Sequence, residues 1–311
     1  MQYSIVVSIY YDAYLAKPLC QELHNVMSKY VSCNDISSKV ELIFVNDGSR
    51  DDSIEVLIKL AQDFNFVRVI DLSRNFGQHA AIACGIKEAK GQVVLRMNVD
   101  MQDPPYEIPK LLDVMKATDC DLVVGQYAIR HSPWINRFTA YIYFKVFKFF
   151  TGFETPQNTS PLRAMNRGFV NAYNSLTEKS RFPQGLDQWL GFKHKYIEID
   201  HKARKDNKSS YNLFTRTKLA INGLLYFSDR PLTLVVIAGF LFSMCGIALA
   251  FIFVFGRVMG LNFLPGYLSL ISLGLIAFGL QLGCTGLVGL YVSRIFKEVQ
   301  NRPLYIIRKE Y

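Results

Sequence analysis

The segment QVVLRMNVDMQDPP, residues 92–105, runs from a short apolar strand straight into a polar loop closed by two prolines. Gln92–Met97 is short, apolar and rich in Val, the signature of a buried strand. Asn98, Asp100 and Gln102 then offer oxygen ligands from one strand end. Mg²⁺ or Mn²⁺ takes such ligands and completes its shell with phosphates and water. Asp100 and Gln102 are therefore the metal candidates, with Asn98 beside them. Pro104 and Pro105 end the strand and turn the chain away.

Working outward, Ser4–Ile9, Val40–Val45, Phe66–Leu72 and Asp121–Val124 read as further strands. Helical stretches fall between them, at Leu15–Tyr30, Asp52–Phe64 and His79–Ala89. Such alternation predicts βαβ units and a mostly parallel sheet. Ligands of these sheets bind beyond the carboxyl ends of the strands, and polar loops stand there. Asn46-Asp47-Gly48-Ser49 follows the second strand, and Ser73-Arg74-Asn75-Phe76-Gly77-Gln78 the third. Asp47 can bond a ribose or base edge, or it can belong to an ordinary Asp-Gly turn that caps the next helix. Three polar loops at successive strand ends are harder to explain as plain turns than any one of them.

The C-terminal third has a different solvent. Pro231–Gly256 contains no charged residue, and neither does Leu264–Ser293. A spanning helix needs ~20 apolar residues, so two transmembrane helices are expected, at about 232–256 and 267–292. Arg216, Lys218 and Arg230 precede the pair, and Arg294, Lys297, Arg302, Arg308 and Lys309 follow it, whereas the link carries Arg257 alone. The positive-inside rule then puts residues 1–210 and the basic tail 295–311 in the cytoplasm, on a multi-pass membrane protein. Glycines along both spans permit close packing, within a chain or in a homo-oligomer. The six cysteines form no CxxC pair, which argues against zinc or a disulfide framework and suits a reducing compartment. Ile5–Ile9 is strand-length, so no signal peptide is expected.

The net charge of +9 has a location. Leu122–Phe153 lacks Asp and Glu and interleaves Arg130, Arg137, Lys145 and Lys148 with aromatic residues. The pattern predicts an amphipathic helix at about 134–150 lying among lipid headgroups, or else packed on the protein's own core. A juxtamembrane helix at 211–229 repeats it. No nucleic-acid motif accompanies the charge, so nucleic acid is not an expected partner.

Taken in order, SIVVSIYYDA (4–13), VNDGSRDDS (45–53), LSRNFGQHAAIACGI (72–86), NVDMQDPP (98–105), KSSYNLF (208–214) and GLVGLYVSRIFKEVQNRPLY (286–305) resemble a family. It is the inverting glycosyltransferases of family 2, with a GT-A fold (α/β, Rossmann-like, mostly parallel). The likeness is to their polyprenyl-phosphate branch, which includes dolichol-phosphate mannose synthase-like and bacterial undecaprenyl-phosphate sugar transferases. The resemblance implies a nucleotide-sugar donor, UDP-linked, a polyprenyl phosphate acceptor and Mg²⁺ or Mn²⁺. It places Ile9, Asp12 and Asp47 at the uracil and ribose, with Asn75 and Asn98 among the nucleotide-binding residues. Asp100 and Gln102 fall at the metal, Arg130 and Arg137 at the acceptor phosphate, and Arg204 and Lys208 on a loop that closes over the diphosphate. Arg163 stands as a further anion contact or as a structural salt bridge.

Departures matter. The first loop reads Ser8-Ile9-Tyr10-Tyr11-Asp12 where the family has Pro-Val-Tyr-Asn-Glu. Asn98-Val99-Asp100 replaces Asp-X-Asp. Gln157-Asn158-Thr159 stand before Leu162-Arg163 where the family often has an acid, and Asp187 is the nearest acid available to a base role, with structural solvation as its other reading. A phosphate monoester has a second pKa of ~6 and needs little deprotonation, so the missing acid favours a phosphate acceptor over a hydroxyl one. A hydroxyl-directed transferase, and a degenerate transferase serving as a membrane scaffold, are the alternatives.

Overall fold

In a computed structural model the described residues are 1–32, 35–127, 145–150, 152, 158–179, 183–202, 230–259 and 266–311. They divide into two compact units: Met1–Lys148 with Phe153–Asn212 and Pro303–Tyr311, and Phe149–Gly152 with Leu213–Arg302.

The first unit is built on one sheet of eight strands. These are β1 (Tyr3–Ile9), β2 (Val40–Asn46), β3 (Val67–Leu72), β4 (Val93–Asn98), β5 (Leu122–Tyr127), β6 (Thr159–Asn166), β7 (His194–Ile199) and β8 (Ile307–Glu310), in the order β7-β5-β6-β4-β1-β2-β3-β8. β3, β2, β1 and β4 run parallel, as do β5 and β7; β6 and β8 are antiparallel to their neighbours. The expected α/β, mostly parallel architecture is what forms. Helices α1 (Ala16–Val31), α2 (Ser53–Asp63), α3 (Gln78–Glu88) and α4 (Ile108–Thr118) alternate with the first five strands. α5 (Arg167–Ser175) and α6 (Pro183–Trp189) follow β6. Every residue of β2 is buried, as a strand covered on both faces requires. Ile5, Val7, Leu42, Phe44, Leu95 and Met97 pack with Leu19, Leu23, Leu111 and Leu112 into the main core.

The sequence pattern did not announce β6, β7 or β8. β6 carries Pro161, which can donate no ladder bond. The β5–β6 register shifts between Val124 and Gln126, and this irregularity accommodates Pro161 inside the sheet. The tail read above only as basic returns to the sheet: β8 pairs antiparallel with β3.

The second unit contains α7 (Arg230–Val258) and α8 (Tyr267–Val299), where the two spans are expected. Among the described residues one stretch, Ile276–Val299, is long and apolar enough to cross a membrane; the apolar stretch Arg230–Phe242 is shorter. Of the expected interfacial helix, 145–150 is described and helical, with Phe147 buried and Phe149 exposed. The juxtamembrane helix at 211–229 lies outside the described residues.

Candidate active site

The carboxyl ends of β1 to β4 meet along one edge of the sheet. β1 ends at Ile9, whose carbonyl accepts from the Asp47 amide at 2.9 Å. Tyr11 lies at φ 63 and donates its amide to Ser49 Oγ at 3.2 Å. The exposed rings of Tyr10 and Tyr11 stand 4.4 Å apart. Asp12 follows, partly buried.

Asp47 has a structural part that its motif does not show. Its carboxylate is buried and accepts from the amides of Phe76 at 2.7 Å and Gly77 at 2.9 Å, so it holds the loop after β3. Burial raises its carboxyl above the ordinary range, against the pull of these two amides and of Arg74. The loop it holds presents Asn75, exposed, beside Tyr10. A second set of bonds steadies the same loop. Asn46 donates to Asp71 at 2.8 Å, Arg308 of β8 pairs with Asp71 at 3.3 Å, and Arg308 also donates to the Ser73 carbonyl at 2.7 Å.

Gly48 sits between these loops at φ +66, and a Cβ built there would lie 2.3 Å from the Arg74 carbonyl carbon. The obstacle is backbone and cannot swing aside. Gly48→Ala is expected to lose about 1–3 kcal/mol of stability from strain. Thermal melts of the variant check it.

At the end of β4, Asn98 Oδ1 accepts from Gln78 Nε2 at 3.1 Å, tying the strand end to the start of α3. Asp100 is partly exposed and accepts from the Gln102 amide at 3.3 Å. Asp103, absent from the sequence candidates, is buried and accepts from Tyr127 and Ser160, each at 2.7 Å. Burial raises its carboxyl, and among the described residues its Oδ2 has no hydrogen-bond partner. Among the described residues no group of three or more His, Cys, Asp or Glu side chains could hold a metal alone. Asp100 with Gln102 fits Mg²⁺ or Mn²⁺ in the other manner, one carboxylate with the remaining positions left to phosphate and water.

The strand-end residues Ile9, Asp12, Asp47, Asn75, Asn98, Asp100 and Gln102 thus share one sheet edge. Arg163 does not join them. It is buried in β6 and pairs with Asp187 of α6 at 2.5 Å, the salt-bridge alternative. Arg130, Arg137, Arg204 and Lys208 lie outside the described residues. Sequence reasoning also passed over Arg96, buried in β4 directly opposite Arg163. Its signal was a lone charge inside VVLRMN.

His79, in the first turn of α3, is reached by solvent yet crowded by protein atoms. That crowding, and then the charges of Arg96 and Arg163, lower its imidazole from 6.5 to about 4. The unfolded chain takes up this proton before the native state does. Stability is therefore present above pH 6.5 and lost as pH falls toward about 4. Denaturant midpoints at pH 6.5 and pH 5 should separate more for the unmodified protein than for His79→Gln.

Comparison with known proteins agrees with this geometry. Residues 4–174 match the family described as glycosyl transferase family 2. YkcC of Bacillus subtilis (strain 168), an uncharacterized glycosyltransferase, is 33% identical over 100% of this chain and 94% of its own. The undecaprenyl-phosphate 4-deoxy-4-formamido-L-arabinose transferase of Photorhabdus laumondii is 31% identical over 89% of this chain and 86% of its own. The mannosyltransferase PcManGT of Pyrobaculum calidifontis, solved in complex with GDP-Man and Mn²⁺, superposes with a TM-score of 0.51. It is 13% identical and covers 97% of this chain and 88% of its own, a likeness that concerns the fold.

Proposed function

This chain belongs to glycosyl transferase family 2, and from that premise we propose that it moves a sugar from a nucleotide sugar, UDP-linked, to undecaprenyl phosphate. The reaction takes place at the cytoplasmic face of a bacterial inner membrane, which the chain crosses more than once, and it inverts the anomeric centre. The observation that carries this reading is the union of the β1 to β4 loops at one edge, with Asn98 tied to Gln78 at the end of the loop that Asp47 holds in place. The Photorhabdus relative supports the acceptor. The apolar stretch Ile276–Val299 supports the membrane.

The nucleoside lies against Tyr10, Tyr11 and Asn75, on loops fixed by Asp47 and Ser49. Asp100 and Gln102 are the residues to hold Mg²⁺ or Mn²⁺, which when bound supplies counter-charge to the departing diphosphate. Arg204 and Lys208 close over that diphosphate. Arg130 and Arg137 orient the lipid phosphate. An oxygen of this phosphate bonds to the anomeric carbon as the bond from that carbon to the β-phosphate oxygen breaks, in line. The attacking oxygen is already ionised at neutral pH, with a second pKa of ~6. No base is required, in keeping with Asp187, whose carboxylate is buried against Arg163.

Incubating the detergent-purified protein with radiolabelled nucleotide sugars and undecaprenyl phosphate, with metal and with chelator, tests the proposal. An organic-extractable, metal-dependent product is expected. Product on a hydroxyl acceptor alone, or none from any donor with the protein folded, would overturn it.

A further inference from the structure

The last strand, β8, adds almost nothing to the core. Ile307 is half-buried and the three residues after it are exposed, so apolar burial does not account for the place of β8 beside β3. Main-chain bonds hold it there. The Val69 amide donates to the Tyr311 main-chain oxygen at 3.0 Å, the Tyr311 amide to the Val69 carbonyl at 2.8 Å, and the Ser73 amide to the Ile306 carbonyl at 2.9 Å. What sets the strand apart is Arg308. Its side chain is 60% exposed, yet one guanidinium nitrogen reaches the buried carboxylate of Asp71 at 3.3 Å and the other donates to the Ser73 carbonyl at 2.7 Å.

Both contacts fall at the root of the loop that presents Asn75. From Asp71 the bonding continues across the strand ends. Asn46, opposite Asp71 in the register of β2 and β3, donates to it at 2.8 Å. Asn46 Oδ1 accepts from the Ser49 amide at 3.3 Å, and Ser49 Oγ accepts from the Tyr11 amide at 3.2 Å. One connected set of polar contacts therefore runs from β8, past β3 and β2, to the loop after β1. Asn46 and Asp71 are buried, and a satisfied polar network in such surroundings is rigid. The loop after β3 is clamped twice. Asp47 grips its far end through the amides of Phe76 and Gly77, and Arg308 grips its near end through the Ser73 carbonyl. Asn75 stands between the two clamps. A guanidinium suits the near one, because its fork serves a carboxylate and a carbonyl together.

We propose that Arg308 is a positioning residue of the nucleotide site, and that β8 belongs to that site's machinery although α7 and α8 separate it in the chain from the other strands. This inference rests on the nucleotide-sugar reading above and assigns that site one more residue. A loop held at both ends meets its ligand already ordered. A loop released at one end binds only during the fraction of time it is correctly placed. The coupling runs both ways: a nucleoside diphosphate that favours the ordered loop also favours the docked strand.

The test is equilibrium binding of UDP, with Mn²⁺, to the full-length protein in detergent, together with amide hydrogen exchange over residues 306–311. Arg308→Met should weaken UDP about tenfold, the scale of a lost charge-assisted contact. Arg308→Lys, which keeps the charge and loses the fork, should recover part of that loss. Glu310→Gln gives up a contact of the same strand with Arg68, at 3.6 Å and away from the loop, and should bind UDP as the unmodified protein does. Saturating UDP should slow exchange over 306–311 in the unmodified protein by up to the same factor of about ten, since coupling is reciprocal. Arg308→Met should abolish that slowing; a strand that served only the stability of the sheet would show none to begin with. Unchanged UDP affinity in Arg308→Met, an equal loss in Glu310→Gln, or exchange over 306–311 that is indifferent to UDP each overturns the proposal and leaves the nucleotide reading standing. Absence of UDP binding to the unmodified protein overturns that reading, and the proposal with it.

Discussion

Asp100→Ala should lower kcat/KM for sugar transfer about a thousandfold or more, the several kcal/mol that a metal's counter-charge is worth to a leaving group. The fold should barely notice. The Asp100 carboxylate is partly exposed and accepts a single hydrogen bond, from the Gln102 amide at 3.3 Å. Its removal leaves no buried group unsatisfied, and the thermal midpoint is expected to hold within about 2 °C. Asn98→Asp is the complementary change. It restores a second carboxylate at the strand end, and its remaining oxygen can still accept from Gln78. Half-maximal activity should then need less metal, since ligand charge sets affinity for hard cations. Metal titrations of the three proteins against a fixed donor separate these effects. An Asp100→Ala protein that transfers sugar normally would remove Asp100 from the metal and the mechanism with it.

The second large effect concerns stability. Asp187→Ala removes the carboxylate that pairs with buried Arg163 at 2.5 Å. Arg163 would then face Arg96 without its ion-pair partner. Breaking a buried pair on one side costs about 3–5 kcal/mol, on the order of 10 °C in the thermal midpoint. Removing both partners should be far milder. Asp187→Leu combined with Arg163→Met leaves no orphaned carboxylate and only Arg96 charged, so the double variant should recover much of the loss. Chemical melts of the two single variants and the double variant close the cycle. A neutral Asp187→Ala would mean that the pair carries no structural weight.

How far the sequence could be read follows from where each residue's environment comes from. β1 to β5 were legible because each is a short apolar run buried on both faces, with amphipathic helices between. β6 was not, because Pro161 and Arg163 break the apolar pattern, and only the register shift against β5 shows why a sheet accepts them. β7 reads HKYIEI and β8 reads IRKE, strands at the two edges whose charges reach solvent. Asp100, Gln102, Asn98 and Asn75 were placed correctly at the sheet edge by strand-end logic. The role of Asp47 was not legible, because its partners, the amides of Phe76 and Gly77, lie some 30 residues on and backbone amides leave no mark in a sequence. Arg96 was visible as an oddity within VVLRMN, but its meaning depends on β6, the strand that the pattern hid.

The last strand carries a constraint on how the chain can be threaded. β8 belongs to the same sheet as β1 to β7, although α7 and α8 lie between them in the chain. A sheet cannot be shared across a bilayer, so residues on either side of those helices occupy one compartment. A chain that leaves a compartment and returns to it makes an even number of crossings. If α8 crosses through Ile276–Val299, it cannot be a lone anchor, and the return passage falls to the chain before it, where α7 provides 29 helical residues. Parity, rather than hydropathy, is then the ground for expecting a hairpin in the C-terminal unit.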